Sequence, residues 1–503
     1  DTVKIENFYR LWISRLDEFL ENYIYYEIPG EKKRKLLPTR YIFSYYLKIL
    51  NRFLEGEIDE LEKIHILTGL RGTGKTTLLA QLYYADKFVK DKQKSKYQTL
   101  LKSDYEKLYL DVSRLKSEDI SLNDFFKFYE TAKNIHFEST NRKFLILLDE
   151  IHYDDNWGLF LKSFYDRTKA NKNILIVATG SSALKLKISP DLSRRSISNE
   201  LYPLKFNEFL ILKYNLYPEP GLFDEILNAV FMNKGIEESY KALKDLLPKV
   251  NNFYHKLEPN IEMRFLELGG LPFLIKSLNN AILIYDFIDG MVDKIITKDI
   301  LSIAKLKAEP ISKIKDILFL LANSEITDLQ KICSTVKLDY KTLRKILDYL
   351  VLTGLLYEIR SFGGKFSKTR KPIKFLFSSP SIRNALLKGV IGSEVRGRFL
   401  EDYFALIYFK DIKKLAESKK IFSQIAYDSS EQGADFILTI DKDYVAVEMG
   451  FNKRAQDGLR QIKNTFSRLK KNGNIKGVIF GEDELKILED NIIHIPLKFL
   501  FLM

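Results

Sequence analysis

Eight consecutive residues, Gly69 to Thr76, read GLRGTGKT and carry glycine, glycine, lysine and a hydroxyl at the spacing of a phosphate-binding loop. In such a loop the glycines let successive backbone N–H groups turn toward phosphate oxygens. The helix that follows adds the positive end of its dipole. Gly69, Leu70, Arg71, Gly72, Thr73, Gly74, Lys75, Thr76 and Thr77 are therefore expected to hold a nucleotide, with Lys75 on the β and γ phosphates and Thr76 on Mg²⁺. A second group of residues supplies what the loop lacks. In "KFLILLDEIH" an apolar run ends in Asp149, suited to hold magnesium through water, and Glu150, suited to polarise an attacking water as general base. A third run, "NILIVATGSS", ends in Thr179, Ser181 and Ser182, any of which could stand between magnesium, water and γ-phosphate.

These residues need a scaffold that brings three chain segments to one edge. The runs "KIHILT", "KFLILL" and "NILIVAT" are short, rich in isoleucine and leucine, and apolar on both alternations, the pattern of strands buried on both faces of a parallel sheet. With intervening helices, this predicts an α/β fold. The 503 residues exceed one compact core. Five segments are expected: helical 1–60, a nucleotide-binding core 61–215, a winged helix-turn-helix 306–378 and, as implied by a resemblance to a known family, a helical lid 216–305 and an α/β domain 379–503.

Several chemistries find no support in the composition. Cys333 is the single cysteine and lies in an apolar helical pattern, so an internal disulfide is excluded and an inert thiol expected. The five histidines lack metal-ligand spacing. No apolar run of about 20 residues predicts a membrane span, and the first residues lack the pattern of a signal peptide, so an intracellular, cytoplasmic protein is expected. The lysine, glutamate and isoleucine bias resembles hyperthermophile usage, and an AT-rich genome would produce much of it too. A formal charge of +13 favours anionic partners.

The order of motifs resembles that of prokaryotic, archaeal-type AAA+ ATPases. The matching features are the phosphate loop, "LLDEIH", "TGSS", a following arginine, "PLKFNEFL" and the lid segment "GGLP". The resemblance runs from about Lys63 to Met503. It implies ATP and Mg²⁺ as cofactors, Pro272 as a nucleotide contact, and Arg194 or Arg195 as an arginine finger, alternatively a surface pair. A finger acting on a neighbouring subunit would require a homo-oligomer.

Downstream, the helical pattern of "DYKTLRKILDYL" puts Leu343, Ile346, Leu347 and Leu350 on one face and Lys341, Arg344 and Lys345 off it. Thr327, with Gln330 three residues on, reads as the cap of the preceding helix. Two strand-like runs follow, separated by "SFGGKFSKTRKP". No acidic residue falls between Glu358 and Glu394. Lys365, Lys368, Arg370 and Lys371 are the expected phosphate contacts of a wing, with DNA the favoured partner and a protein contact the alternative.

The family resemblance also implies a restriction-endonuclease-like C-terminal domain with Glu401, Asp435 and Glu448 as its landmarks. Gly450 stands where an active nuclease of this type carries lysine, and Lys453 could substitute only if the chain bends back. The sequence thus predicts an ATPase whose nucleotide state is coupled to nucleic-acid binding. Its alternatives are a signalling switch with protein partners and an ATP-dependent nuclease.

Overall fold

The computed structural model describes residues 2–27, 33–183, 188–233, 235–301, 308–324, 328–363, 372–469, 473–489 and 491–503. Two compact units divide the chain, Asp1–Leu201 and Tyr202–Met503.

The first unit begins with helix α1 (Thr2–Ile24), a hairpin of β1 (Tyr25–Glu27) and β2 (Arg34–Leu36), and helix α2 (Tyr41–Glu55). Five strands follow: β3 (Ile64–Gly69), β4 (Glu106–Asp111), β5 (Phe144–Asp149), β6 (Ile174–Ser181) and β7 (Ile197–Leu201). They form one sheet in the order β4-β5-β6-β3-β7, all parallel. Helices cover the sheet, and β3, β5 and β6 are buried along their whole length, which is why their sequences do not alternate. Trp12, Leu16, Leu20, Phe43, Leu50 and Phe53 from α1 and α2 belong to the same apolar core as the strands.

Parallel pairing puts all five strand ends on one edge. Asp111 pairs with Asp149, Leu67 with Thr179, and Gly69 with both Ser181 and Leu201. The opposite edge shows a repeated device. Lys63, Lys107 and Lys143 lie at or just before the starts of β3, β4 and β5, and each donates to carbonyls at the C-terminal end of a helix. Lys63 reaches Thr168 and, at 3.3 Å, Lys169; Lys107 reaches Tyr83 at 2.9 Å; Lys143 reaches Leu54 and, at 3.2 Å, Phe53. The last carbonyls of a helix have no partner within the helix and carry its negative end, so an ammonium there satisfies both needs.

The second unit opens with helices that include Phe206–Tyr214, Ile236–Tyr254, Ile261–Leu268 and Ala281–Lys294. Helices Ile314–Asn323, Leu329–Val336 and Tyr340–Leu352 then lead to an antiparallel hairpin, β8 (Leu356–Ile359) with β9 (Lys374–Phe377). Helix Ser393–Ile407 precedes a six-stranded mixed sheet. Its strands are β10 (Ser423–Ala426), β11 (Phe436–Ile440), β12 (Asp443–Met449), β13 (Ile475–Gly481), β14 (Lys486–Glu489) and β15 (Ile492–Pro496), in the order β10-β11-β12-β13-β15-β14.

Sequence expectations here need amendment. Lys365, Lys368, Arg370 and Lys371 lie outside the described residues, as does Thr327. The helix Leu329–Val336 is capped by Asp328, whose carboxylate accepts from Gln330 N–H at 3.0 Å. The acid-free stretch is not one basic surface. Arg383 is fully buried in a double hydrogen bond with Asp402, at 2.7 and 2.8 Å, and Lys374 is buried on Glu401 at 2.5 Å. Distance along the chain misled, because both acids come from the helix Ser393–Ile407.

Candidate functional site

The edge of the first sheet gathers the loop, the acidic pair and one hydroxyl. Gly72 and Gly74 adopt φ of 85° and 95°, where side chains are disfavoured. Gly69 is needed for space, because a Cβ there would lie 2.4 Å from the carbonyl oxygen of Leu201. Thr73 closes the loop on itself, its hydroxyl donating to Leu70 O at 2.8 Å. Lys75 is buried, and its ammonium donates to Gly69 O at 2.9 Å and Leu70 O at 3.2 Å. Arg71, Thr76 and Thr77 are half-buried, and Leu70 is buried.

Asp149 is the hub of the arrangement. Its Oδ2 accepts from the Thr76 hydroxyl at 2.7 Å and the Tyr109 hydroxyl at 2.9 Å, while its Oδ1 accepts from Thr179. The Thr179 oxygen in turn accepts from Glu150 N–H at 3.2 Å, so one hydroxyl links both acidic residues. Glu150 itself has φ of 52°, a left-handed conformation unusual outside glycine, which turns the chain sharply after β5. Its Oε2 lies 3.4 Å from His152 Nε2. Asp111, beside Asp149 on β4, is pushed above the usual carboxylate range, first by burial and then by Asp149, against hydrogen bonds from Ser113.

Of the three hydroxyls considered, the structure brings Thr179 to the acidic pair. Ser181 is buried opposite Gly69, and Ser182 Oγ is buried with no hydrogen-bond partner among the described residues. The two arginines differ as well. Arg195 is tied to Asp166 at 2.8 Å and to Asp191 O at 2.8 Å. Arg194 is exposed, and its side chain makes no hydrogen bond or ion pair among the described residues, although its backbone N–H donates to Leu192 O. Pro272 belongs to the second unit, half-buried at the start of a short helical turn. Its neighbouring glycines have a packing reason: a Cβ on Gly270 would meet Ser379 Oγ at 1.8 Å, and one on Gly269 would meet the Phe209 ring at 2.6 Å.

Two residues escaped the sequence reading. Arg40 donates from Nη1 to Thr73 O at 2.8 Å, and Tyr109 holds Asp149. Neither lies in a motif, and only the fold brings them to the loop and the carboxylate.

The donors present suit a magnesium-bound polyphosphate. Thr76 and Asp149 offer the hard oxygens that magnesium takes, the left-handed glycines suit a backbone turned toward phosphate, and the Ser182 hydroxyl is a buried polar atom without a hydrogen-bond partner among the described residues.

The second unit holds its own acidic cluster. Pairing of Phe436 with Val447 puts Asp435 beside Glu448, and the two are cross-linked: Asp435 N–H donates to Glu448 Oε2 at 3.0 Å, and Met449 N–H donates to Asp435 Oδ2 at 2.9 Å. The chain does bend back after Gly450. Lys453 forms an ion pair with Glu448, and a Cβ on Gly450 would sit 3.0 Å from Lys453 Cβ. Burial, then Glu448 and Glu401, holds Asp435 well above the carboxylate range. Lys453 is raised by Glu448 and Asp435, although burial works against its charge. Among the expected nucleic-acid contacts, Lys341 and Lys345 are exposed, whereas Arg344 is paired with Asp348 at 2.7 Å and with Glu358.

Comparison with known proteins gives an AAA domain over residues 61–210 and a domain of unknown function over residues 263–390. An uncharacterized protein of Methanocaldococcus jannaschii, MJ1637, is 33% identical over 475 residues, covering 92% of this chain and 91% of that protein. An uncharacterized protein of Haemophilus influenzae is 25% identical over 450 residues, covering 84% and 91%. Among solved structures, RuvB of Thermotoga maritima aligns with a TM-score of 0.27 and 17% identity, covering 64% of this chain and 89% of that one.

Proposed function

The chain belongs to the same family as that Methanocaldococcus jannaschii protein and carries an AAA domain, and on that premise we propose that it binds Mg-ATP and hydrolyses it by direct attack of water. The observation that carries this reading is the link from Thr76 to Asp149 to Thr179 to Glu150, which joins the phosphate loop to the residue suited to activate water. In this reading the loop N–H groups and Lys75 bind and neutralise the phosphates. Thr76 and Asp149 would hold magnesium, which would supply charge neutralisation on the phosphates. Glu150 accepts the proton of the attacking water, its carboxylate aimed by the left-handed turn after β5. Thr179 fixes Asp149 and the Glu150 backbone together, which makes it the sensor candidate. Arg194, whose side chain is exposed and holds no hydrogen bond or close ion pair among the described residues, is the better finger candidate of the two arginines.

The nucleotide state is coupled, in this proposal, to nucleic acid, with DNA favoured. The three helices Ile314–Asn323, Leu329–Val336 and Tyr340–Leu352 with the hairpin β8–β9 have the order of a winged helix-turn-helix. Lys341 and Lys345 are exposed on the third helix; Arg344 would have to leave two carboxylates to reach a phosphate. The test is ATP binding and turnover by wild type and Lys75→Ala, with and without a panel of DNA and RNA. Retained ATP affinity in Lys75→Ala would sink the nucleotide reading. Turnover indifferent to every nucleic acid would sink the coupling.

A second reading, metal-dependent nucleic-acid cleavage by the C-terminal domain, is favoured by the placement of Lys453. Its ammonium reaches Glu448 from three residues past Gly450, so the acidic cluster of Asp435, Glu448 and Glu401 has a lysine in a region where the motif spacing alone shows none.

A further inference from the structure

We propose that the N-terminal segment formed by α1 and α2, which precedes the AAA domain, is a working part of the nucleotide site: Arg40 positions the phosphate loop, and Tyr109, held by Trp12, positions Asp149. The inference rests on the ATP reading above and adds residues that no nucleotide-binding motif contains.

Arg40 immediately precedes α2 and is 9% exposed. Its target, the Thr73 carbonyl, lies between Gly72 and Gly74, both in the left-handed region. That carbonyl belongs to the peptide joining Thr73 to Gly74, and the glycine on its far side lowers the steric resistance to its turning over. Because the peptide is planar and trans, the carbonyl of Thr73 and the N–H of Gly74 point in opposite directions. A guanidinium holding the carbonyl therefore fixes that N–H on the other side. An anion in the loop needs its donors in fixed orientation, and the charge-assisted bond from Arg40 supplies a constraint that the glycines remove.

The second contact reaches the other half of the site. Trp12 of α1 donates Nε1–H to Tyr109 O at 2.8 Å and stacks on the Tyr109 ring, with centroids 6.1 Å apart and 20° between planes. Tyr109 OH then donates to Asp149 Oδ2, the oxygen that also accepts from Thr76. Packing alone would be served by phenylalanine at 109. The hydroxyl is what fixes the rotation of the carboxylate. One contact from the N-terminal segment thus ends on the anion cradle, and another reaches the metal-binding acid through Tyr109.

The test uses the full chain as wild type, Arg40→Met, Arg40→Lys and Tyr109→Phe, with melting midpoint, ATP turnover and its magnesium dependence measured on each. Arg40→Met is expected to raise KM for ATP about tenfold, in keeping with loss of one hydrogen bond from a charged donor. Arg40→Lys is expected to recover part of that loss, and it carries the test if Arg40→Met does not fold. Tyr109→Phe is expected to leave KM for ATP unchanged and to raise the magnesium concentration for half-maximal turnover. Variants that lower the melting midpoint while KM and magnesium dependence match wild type would overturn the proposal and leave both residues structural. A wild type that neither binds nor turns over ATP would instead refute the nucleotide reading itself.

Discussion

Thr76 and Asp149, 73 residues apart in the chain, are joined by a 2.7 Å hydrogen bond at the edge of the parallel sheet. The bond connects the first turn of the helix after the phosphate loop to the end of β5. It exists because β3 and β5 run parallel on either side of β6, so that both finish at the same edge.

Glu150→Gln keeps the shape of the side chain and removes its basicity. ATP turnover should fall roughly 10²- to 10⁴-fold, the usual contribution of a general base, with ATP affinity preserved. Turnover at the wild-type rate, measured by phosphate release, would require another base.

Thr179 and Ser181 should separate cleanly. Thr179→Val removes the hydroxyl shared by Asp149 and Glu150 and leaves a buried carboxylate oxygen and a part-buried N–H without it, which predicts a loss of turnover of about tenfold or more. Ser181→Ala should have little effect. Equal losses from the two substitutions, compared at saturating ATP, would argue against a linking role for Thr179.

Lys476 gives a pH signature. It is buried in β13 against Val230 O, Asn233 O and Ser239, and burial lowers its pKa from 10.5 to about 8. Between those values the unfolded chain holds a proton that the folded chain does not, so this group makes stability rise with pH from about 8 toward 10.5 and has no further effect below 8. Urea midpoints at about pH 8 and about pH 9.5 should therefore move upward more in wild type than in Lys476→Met. Identical pH dependence in the two proteins would show that Lys476 titrates normally.

If the C-terminal cluster cleaves nucleic acid, magnesium-dependent nicking of plasmid or linear DNA should vanish in Asp435→Ala and in Lys453→Met, with ATP turnover unchanged in both. Cleavage that survives in both variants, or none in wild type, would leave these residues as a buried ion-pair cluster.

Much of the first unit could be read in advance because its signals are local. A buried strand, a glycine loop and a helix occur in immediate succession, and β5 announces its own end with two acids. Arg40 and Tyr109 were invisible for the opposite reason, since their partners lie 33 and 40 residues away. Lys453 was doubtful because spacing along a straight strand assigns its position to Gly450, whereas the chain folds over that glycine. Lys374 and Arg383 fall in a stretch without acids and are nonetheless buried and paired, because Glu401 and Asp402 are supplied by a later helix.

The lysines that cap helix ends bear on how the protein would look to a polyanion. Lys63, Lys107 and Lys143 in the first unit, and Lys476 in the second, point their ammonium groups at backbone oxygens. Lys63 and Lys476 are buried and Lys107 and Lys143 half-buried, so these charges are met largely by backbone dipoles and only partly presented outward. Part of the formal +13 is thus internal wiring of the fold. The field that would steer an anionic partner comes from a smaller set of cations than composition suggests, and long-range attraction should be correspondingly weaker and more local.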